Sequence, residues 1–304
     1  MGFTTIDTSK MSLSDWLEAR RPYIGGSDAP AVAGLSQWRS PFAVALDKLG
    51  MVPPVEDNES MFWGRTLEKP IAQHACHILT DIDGELEGQS LEYSPRAMYV
   101  SERYSWAAVN LDGQFIGAGI ECKNYGRDRA SAFADDGIPA DLTVQCLHAM
   151  AVRDDFACMY AAVLCGGNRF FLRRIDRDEK AIADLMSIEQ EFYEKVMVGK
   201  EIPAPTGMDN DRDLLTSLYP EPSEDTLTLG DDEAALAREY REAAAIEKEA
   251  VARKKAAHNQ LFAIVGSAKR ATAGPYKLTR IHSEVAECVR PAYSSDYLKI
   301  TGGE

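Results

Sequence analysis

The sequence predicts an α/β (α+β) protein carrying a helical extension at its C-terminal end, and three observations lead there. Residues 91–125 and 156–176 are rich in aromatic and β-branched residues broken by Gly and Asp, as short strands are. Around them lie stretches whose apolar residues recur at three- and four-residue steps, which place one helix face on a core. After about residue 203 the composition shifts to Pro, Asp and Ser, and then to an Ala- and charge-rich stretch. The expected domains are a core over 1–208, a connector over 209–230, and a helix-plus-hairpin extension over 231–304.

Element by element, "SLSDWLEARR" (12–21) reads as a short helix capped by Ser12 or Ser14. "YIGGSDAPAVAGLSQW" sets a Gly-Gly turn before a small-residue helix starting near Ser27 or Asp28. A side chain there satisfies free backbone N–H groups, and the same helix end suits an anion. "SPFAVALDKLG" (40–50) is a helix with Pro in its first turn and Gly at its end. In "MFWGRTLEKPIAQHACHIL" Leu67, Ile71, Ala75 and Ile78 share one face, and Pro70 should distort or restart the helix.

Residues 91–100, 104–112 and 115–125 read as antiparallel strands of one small sheet. "IPADLTVQCLHAMAVRD" is helical with Asp141 as its cap, and "FACMYAAVLCGGNRFFLRRID" is two strands around a Gly-Gly-Asn turn. "RDEKAIADLMSIEQEFYEKVMVGK" is one long amphipathic helix ending at Gly199. Within 231–265, Leu236, Tyr240, Ala243, Ala250, Ala257, Leu261 and Ile264 draw a thin stripe suited to packing on a neighbouring helix. The tail from Gly274 alternates like a hairpin.

The 304 residues, 45% hydrophobic, contain no run of about 18 apolar residues and no leader of basic then apolar residues at "MGFTTIDTSK". The expectation is a cytoplasmic protein without a membrane partner. Six scattered cysteines with no C-x-x-C pair read as reduced and mostly buried thiols. The His74-x-Cys76-His77 spacing does not suit zinc. A net charge of −15 argues against a generally adhesive nucleic-acid binder but leaves room for a locally basic channel.

The chemistry concentrates in "GIECKNY" (119–125), where an acid and a base stand two residues apart on an apolar strand. Side chains at i and i+2 point the same way, so Glu121 and Lys123 share one face while Ile120 and Cys122 fill the other. Asp112, nine positions earlier in "VNLDG", is brought beside Glu121 if "QFIGAG" folds the two strands back on each other. Two carboxylates and a backbone carbonyl at one point form an all-oxygen site of the kind Mg²⁺ or Mn²⁺ prefers. The competing reading is a solvated Glu–Lys pair on an exposed edge strand.

Four stretches decide between them. "RRPYIGGSDAPAVAGLSQWRSPF", "MFWGRTLEKPIAQ", "LDG" followed by "IECK", and "PADLTVQCLHAMAV" resemble, in this order and spacing, the YqaJ-like viral recombinases. These are the lambda-exonuclease-like branch of the PD-(D/E)XK nucleases, and the resemblance covers roughly residues 14–205. It implies a restriction-endonuclease-like core, a mixed central β-sheet flanked by helices. It also implies a Mg²⁺-dependent (or Mn²⁺-dependent) 5′-to-3′ exonuclease acting on double-stranded DNA ends, with one or two ions per site. The family's setting is phage-type recombination in a bacterial cytoplasm, with a homotrimeric ring and a single-strand annealing protein as partner.

Carried over by position, Asp112, Glu121 and the Cys122 carbonyl are the implied metal ligands, and Lys123 serves the attacking water. Glu68 in "WGRTLEKP" completes the shell of ion and water or holds a second ion, and Gln145 in "TVQCLHAM" reaches the same site. Ser27 and Arg20 hold a terminal 5′-phosphate, with Arg21 as an adjacent candidate. Arg39, Arg65 and Arg127 are further candidate phosphate contacts. Asp28 suits an anion site only if it faces away or caps its helix. Leu111 stands where the family has proline, a change of turn shape and not of ligands. Two alternatives remain at this point: a DNA-end-binding or assembly protein on the same fold, and a Cas4-like nuclease of different polarity. The scattered cysteines speak against the latter's iron–sulfur cluster.

Overall fold

The computed structural model describes residues 2–55 and 57–283, which divide into two compact units, Met1–Pro222 and Ser223–Glu304. In chain order the first unit contains β1 (Phe3–Asp7), α1 (Leu13–Arg20), β2 (Ile24–Gly25), α2 (Ala29–Val32), α3 (Pro41–Lys48) and α4 (Glu59–His77). There follow β3 (Glu92–Tyr93), β4 (Ala97–Ser101), β5 (Ala107–Asn110), β6 (Gly113–Phe115), β7 (Ala118–Tyr125) and α5 (Ala140–Val152). The unit ends with β8 (Cys158–Cys165), β9 (Arg169–Asp176), α6 (Glu179–Phe192) and α7 (Asp209–Leu218). The second unit contains α8 (Asp231–Val265) and a hairpin of β10 (Arg270–Ala273) with β11 (Tyr276–Thr279).

The strands of the first unit form two mixed sheets. One runs β1-β4-β5-β2 with β2 parallel to β5; the other runs β3-β6-β7-β8-β9 with β7 parallel to β8. Helices cover both faces of the second sheet. Ile71, Ala72 and Ala75 of α4 pack with Ile120, Cys122, Tyr160 and Ala162 on one side. On the other side Cys146, Met150 and their neighbours on α5 pack with Ala161 and Val163. Burial of α5 is nearly complete from Cys146 to Val152, because α6 lies against its outer face. The mixed sheet flanked by helices is therefore present.

Local rules held where a side chain could act alone. Ser12 caps α1 in a box with Asp15, and Asp178 caps α6. The β8–β9 hairpin turns through Gly166 and Gly167 at φ 60° and 75°, which a side chain would strain. Other expectations are corrected. Strand β1 was not anticipated, and the strands of 91–125 divide between two sheets instead of forming one. Pro70 stays inside an unbroken α4, whose end widens into a π-turn at Ile78–Ile82. Asp141 does not cap α5; it receives both of its bonds from Arg129. The long helix toward Gly199 becomes a π-turn after Phe192.

The region read as a connector contains α7, which packs on α3. It is fastened there by buried Asp211, which accepts bonds from Ser40 Oγ, Thr206 N and Thr206 Oγ1. The hairpin lies at 270–279, ahead of most of the tail assigned to it, and residues 284–304 lie outside the described residues. No residue of α8 is buried, so its stripe finds no partner helix among the described residues of its own unit. No helix among the described residues is long and apolar enough to cross a membrane.

Candidate active site

Strand β7 carries the central residues, and its register assigns their faces. Glu121 and Lys123 pair with Ala161 and Val163, on the side covered by α5; Ile120 and Cys122 pair with Tyr160 and Ala162, beneath α4. The alternation expected from "GIECKNY" is present. Asp112 lies between β5 and β6, and its Oδ2 accepts the Cys122 N–H at 2.7 Å. Gly113 permits that approach: a Cβ there would stand 2.7 Å from Ile120 Cγ2. The fold-back through "QFIGAG" thus brings Asp112 to Glu121.

Side chains from separate elements converge on these acids. Lys123 Nζ donates to Glu121 Oε1 at 2.6 Å, and Gln145 Nε2 of α5 donates to the same oxygen at 2.7 Å. Glu68 of α4 accepts the Tyr93 hydroxyl at 3.0 Å. Each of the three acids therefore uses one oxygen internally, while the other takes no hydrogen bond among the described residues. A cavity of about 310 Å³ is lined by Glu68, Asp112, Glu121 and Gln145, and also by Arg20 and Ser27.

Electrostatics mark the cluster as unbalanced. Burial pushes the Asp112 carboxyl well above its usual range, and the charges of Glu121 and Glu68 push it further. Glu68 is raised too, first by burial and then by Glu121, against the Tyr93 hydrogen bond. Burial and Glu68 push the Tyr93 phenol up to about 12. For Lys123, burial favours the neutral amine, but Glu121 and Asp112 outweigh it and hold the ammonium charged. Three crowded acids with three uncommitted oxygens are hard donors of the kind a divalent cation prefers. Among the described residues no three such side chains are already gathered tightly enough to grip an ion, so closing on one requires side-chain rotation.

The anion-binding candidates sit at the loop after β2. Arg20 Nη2 donates to Ser27 Oγ at 3.2 Å, and its guanidinium lies 4.4 Å from the Trp16 ring centre. Arg21 instead pairs with Glu18 at 2.8 Å and does not line the cavity. Asp28 neither caps α2 nor faces the cavity. It is buried, accepting from Lys48 Nζ at 2.7 Å, Arg39 Nη1 at 2.9 Å and the Gly25 N–H at 3.0 Å. Arg39 is thereby committed inward, and Arg65, which lines the cavity, is paired with Asp57.

Three contributors were not found from sequence. Tyr93 reaches Glu68 across 25 positions from a two-residue strand. Lys48 neutralises Asp28 from the next helix. His148 and Glu189 form a fully buried pair whose His148 Nε2 donates to the Ala108 carbonyl at 3.0 Å, beneath Gly26. None had a local signal, although Lys48 on a largely apolar helix was an anomaly that pointed to a buried partner.

Comparison with known proteins agrees with the motif order. Residues 15–155 match the model of the YqaJ-like viral recombinase domain. The chain is 32% identical over 217 residues to the protein of Bacillus subtilis described as uncharacterized protein YqaJ, covering 70% of this chain and 65% of that one. Among solved structures it is similar to an alkaline exonuclease from Laribacter hongkongensis. That likeness has a TM-score of 0.47 and 14% identity, covering 68% of this chain and 100% of that one. The same enzyme in complex with dAMP gives a TM-score of 0.48 at 15% identity, with the same coverage. Every carboxylate, amide and cation described around the cavity lies between Trp16 and Gln145, inside the matched span, and over that span the chain is similar to the YqaJ-like viral recombinase domain.

Proposed function

We propose that this protein is a divalent-metal-dependent exonuclease that digests double-stranded DNA from 5′ ends and leaves 3′ single-stranded overhangs for phage-type recombination. One observation carries the reading. A single cavity joins three half-committed carboxylates to an Arg20–Ser27 pair suited to a phosphate. Asp112, Glu121 and the Cys122 carbonyl would hold the ion, Mg²⁺ or Mn²⁺, with Glu68 completing the shell or holding a second ion. When bound, such an ion polarises the phosphodiester and makes its water more acidic.

The chain's own groups do the rest. Gln145 and Lys123 hold Glu121 through one oxygen, which orients the carboxylate and leaves its second oxygen for the ion. The Lys123 ammonium, kept charged by its two acids, orients the attacking water and offsets charge building on the phosphate. Tyr93 steadies Glu68. Arg20 and Ser27 take the terminal 5′-phosphate, which sets the distance from the end to the bond that is cut. A homotrimeric ring and a single-strand annealing partner complete the reading on family grounds. The net charge of −15 supports a grip by topology over one by bulk charge.

The test is digestion of a duplex labelled separately at its 5′ and 3′ ends, with and without Mg²⁺. Expected is early loss of the 5′ label, only with the ion. Loss of the 3′ label first would overturn the polarity, and binding of ends without any digestion would leave an end-binding protein.

A further inference from the structure

Trp38 is a large apolar side chain left 63% exposed, yet it is the outer end of an ordered column. Its ring centre lies 6.0 Å from the Arg129 guanidinium, which lies 4.6 Å from the Tyr125 ring. Tyr125 stacks on buried Phe133 at 6.4 Å, and Phe133 stacks on Phe171 at 5.2 Å. Both oxygens of Asp141 hold Arg129 Nη2 at 3.0 Å, so the guanidinium is held in place behind the indole. The Arg129 side chain is only 10% exposed, and its Nη1 is buried with no hydrogen-bond partner. A buried donor left without a partner is costly, so the surroundings hold Arg129 in this place for a reason beyond its pair with Asp141.

The column is tied to both halves of the cavity. Tyr125 follows Lys123 by two residues on β7. On the other side, Ser36 Oγ accepts the N–H groups of Trp38 and Arg39 at 3.1 and 3.2 Å, and Arg39 bonds to Asp28, the neighbour of Ser27. Trp38 is therefore positioned by the same parts that position the catalytic strand and the phosphate loop.

Resting on the nuclease reading above, we propose that Trp38 is a stacking platform for one nucleobase of the DNA strand held in the cavity. A flat indole face with a fixed guanidinium behind it offers base stacking. Every base has a π-face, so the contact is tolerant of sequence, as resection of arbitrary DNA requires.

The experiment measures binding of 5′-phosphorylated duplexes to the full-length protein in a metal chelator, by fluorescence anisotropy. An abasic site is walked through the first six nucleotides of the 5′-ended strand. Expected is about 5- to 150-fold weaker binding by Trp38→Ala, equivalent to about 1–3 kcal/mol, with Trp38→Phe retaining most of the affinity. One abasic position should weaken wild type and leave Trp38→Ala unaffected, a coupling that a merely structural role would not produce. Normal wild-type binding with an unchanged Trp38→Ala affinity, or the same abasic profile in both proteins, overturns the platform alone. A wild-type protein that neither binds nor digests duplex ends removes the nuclease reading and the platform with it.

Discussion

Replacing Asp28 by Asn tests whether the phosphate loop stands on a buried ionic cluster. The Asp28 side chain is 1% exposed and that of Lys48 is 4%, so both charges are out of water. The substitution keeps the shape but removes the only negative charge bonded to Lys48 among the described residues, leaving a buried ammonium uncompensated. Loss of one partner from such a pair costs about 3–5 kcal/mol. At about 2–4 °C per kcal/mol for a domain of this size, the melting temperature should fall by about 6–20 °C.

The pH dependence has a definite sign. Burial alone would raise the Asp28 carboxyl, but Lys48, Arg39 and Arg20 outweigh it and hold it well below the usual carboxylate range. A pKa depressed by folding stabilises the protein above the unfolded value of about 3.9, and that contribution is lost as pH falls through this region. The gap between wild type and Asp28→Asn, measured by urea unfolding, should be level above about pH 5 and should narrow progressively as pH falls below about 4. Adding Lys48→Met to Asp28→Asn should recover part of the loss, because an apolar chain of similar length replaces the stranded charge. A difference under about 1 kcal/mol at neutral pH, or no recovery in the double variant, would refute the argument.

Lys123→Ala should abolish Mg²⁺-dependent digestion with an unchanged far-UV spectrum, and persistent activity would remove Lys123 from the chemistry. Arg20→Ala and Ser27→Ala should slow digestion of 5′-phosphorylated ends more than 5′-hydroxyl ends, whereas Arg21→Ala, which alters only the pair with Glu18, should not. Tyr93→Phe should weaken Mn²⁺ binding by calorimetry about fivefold, the value of one hydrogen bond of about 1 kcal/mol to Glu68. Gly119→Ala should cost about 1–3 kcal/mol in thermal unfolding, because its Cβ would stand 2.7 Å from Phe156 Cε2 in a packed interior.

Much of the site could be read before any coordinates. The alternation of "GIECKNY" specifies which of its residues share a face, since the period of a strand is set by its own backbone. Glu68 and Gln145 come only from the resemblance that the four-stretch order carries, since by helical steps alone each would be a surface residue. Local pattern failed where the partner lay far away in the chain. Nothing in 91–125 says that β4–β5 and β6–β7 belong to different sheets, because both pairs have the same short antiparallel look. Pro70 misled because the propensity against proline yields when the rest of the helix packs well, as Ile71, Ala72 and Ala75 do.

By itself the sequence determined the family resemblance, the face of each β7 residue, and which acids meet. Those are properties of backbone periodicity and motif order, and they need no neighbour to express them. Only the tertiary structure decided that Asp28 faces inward to Lys48, that Tyr93 holds Glu68, and that Trp38 ends a column running through Arg129 to Tyr125. Such partnerships depend on which groups burial brings together and on the cost of leaving a buried charge or donor unpaired, and neither is written into a local stretch of chain.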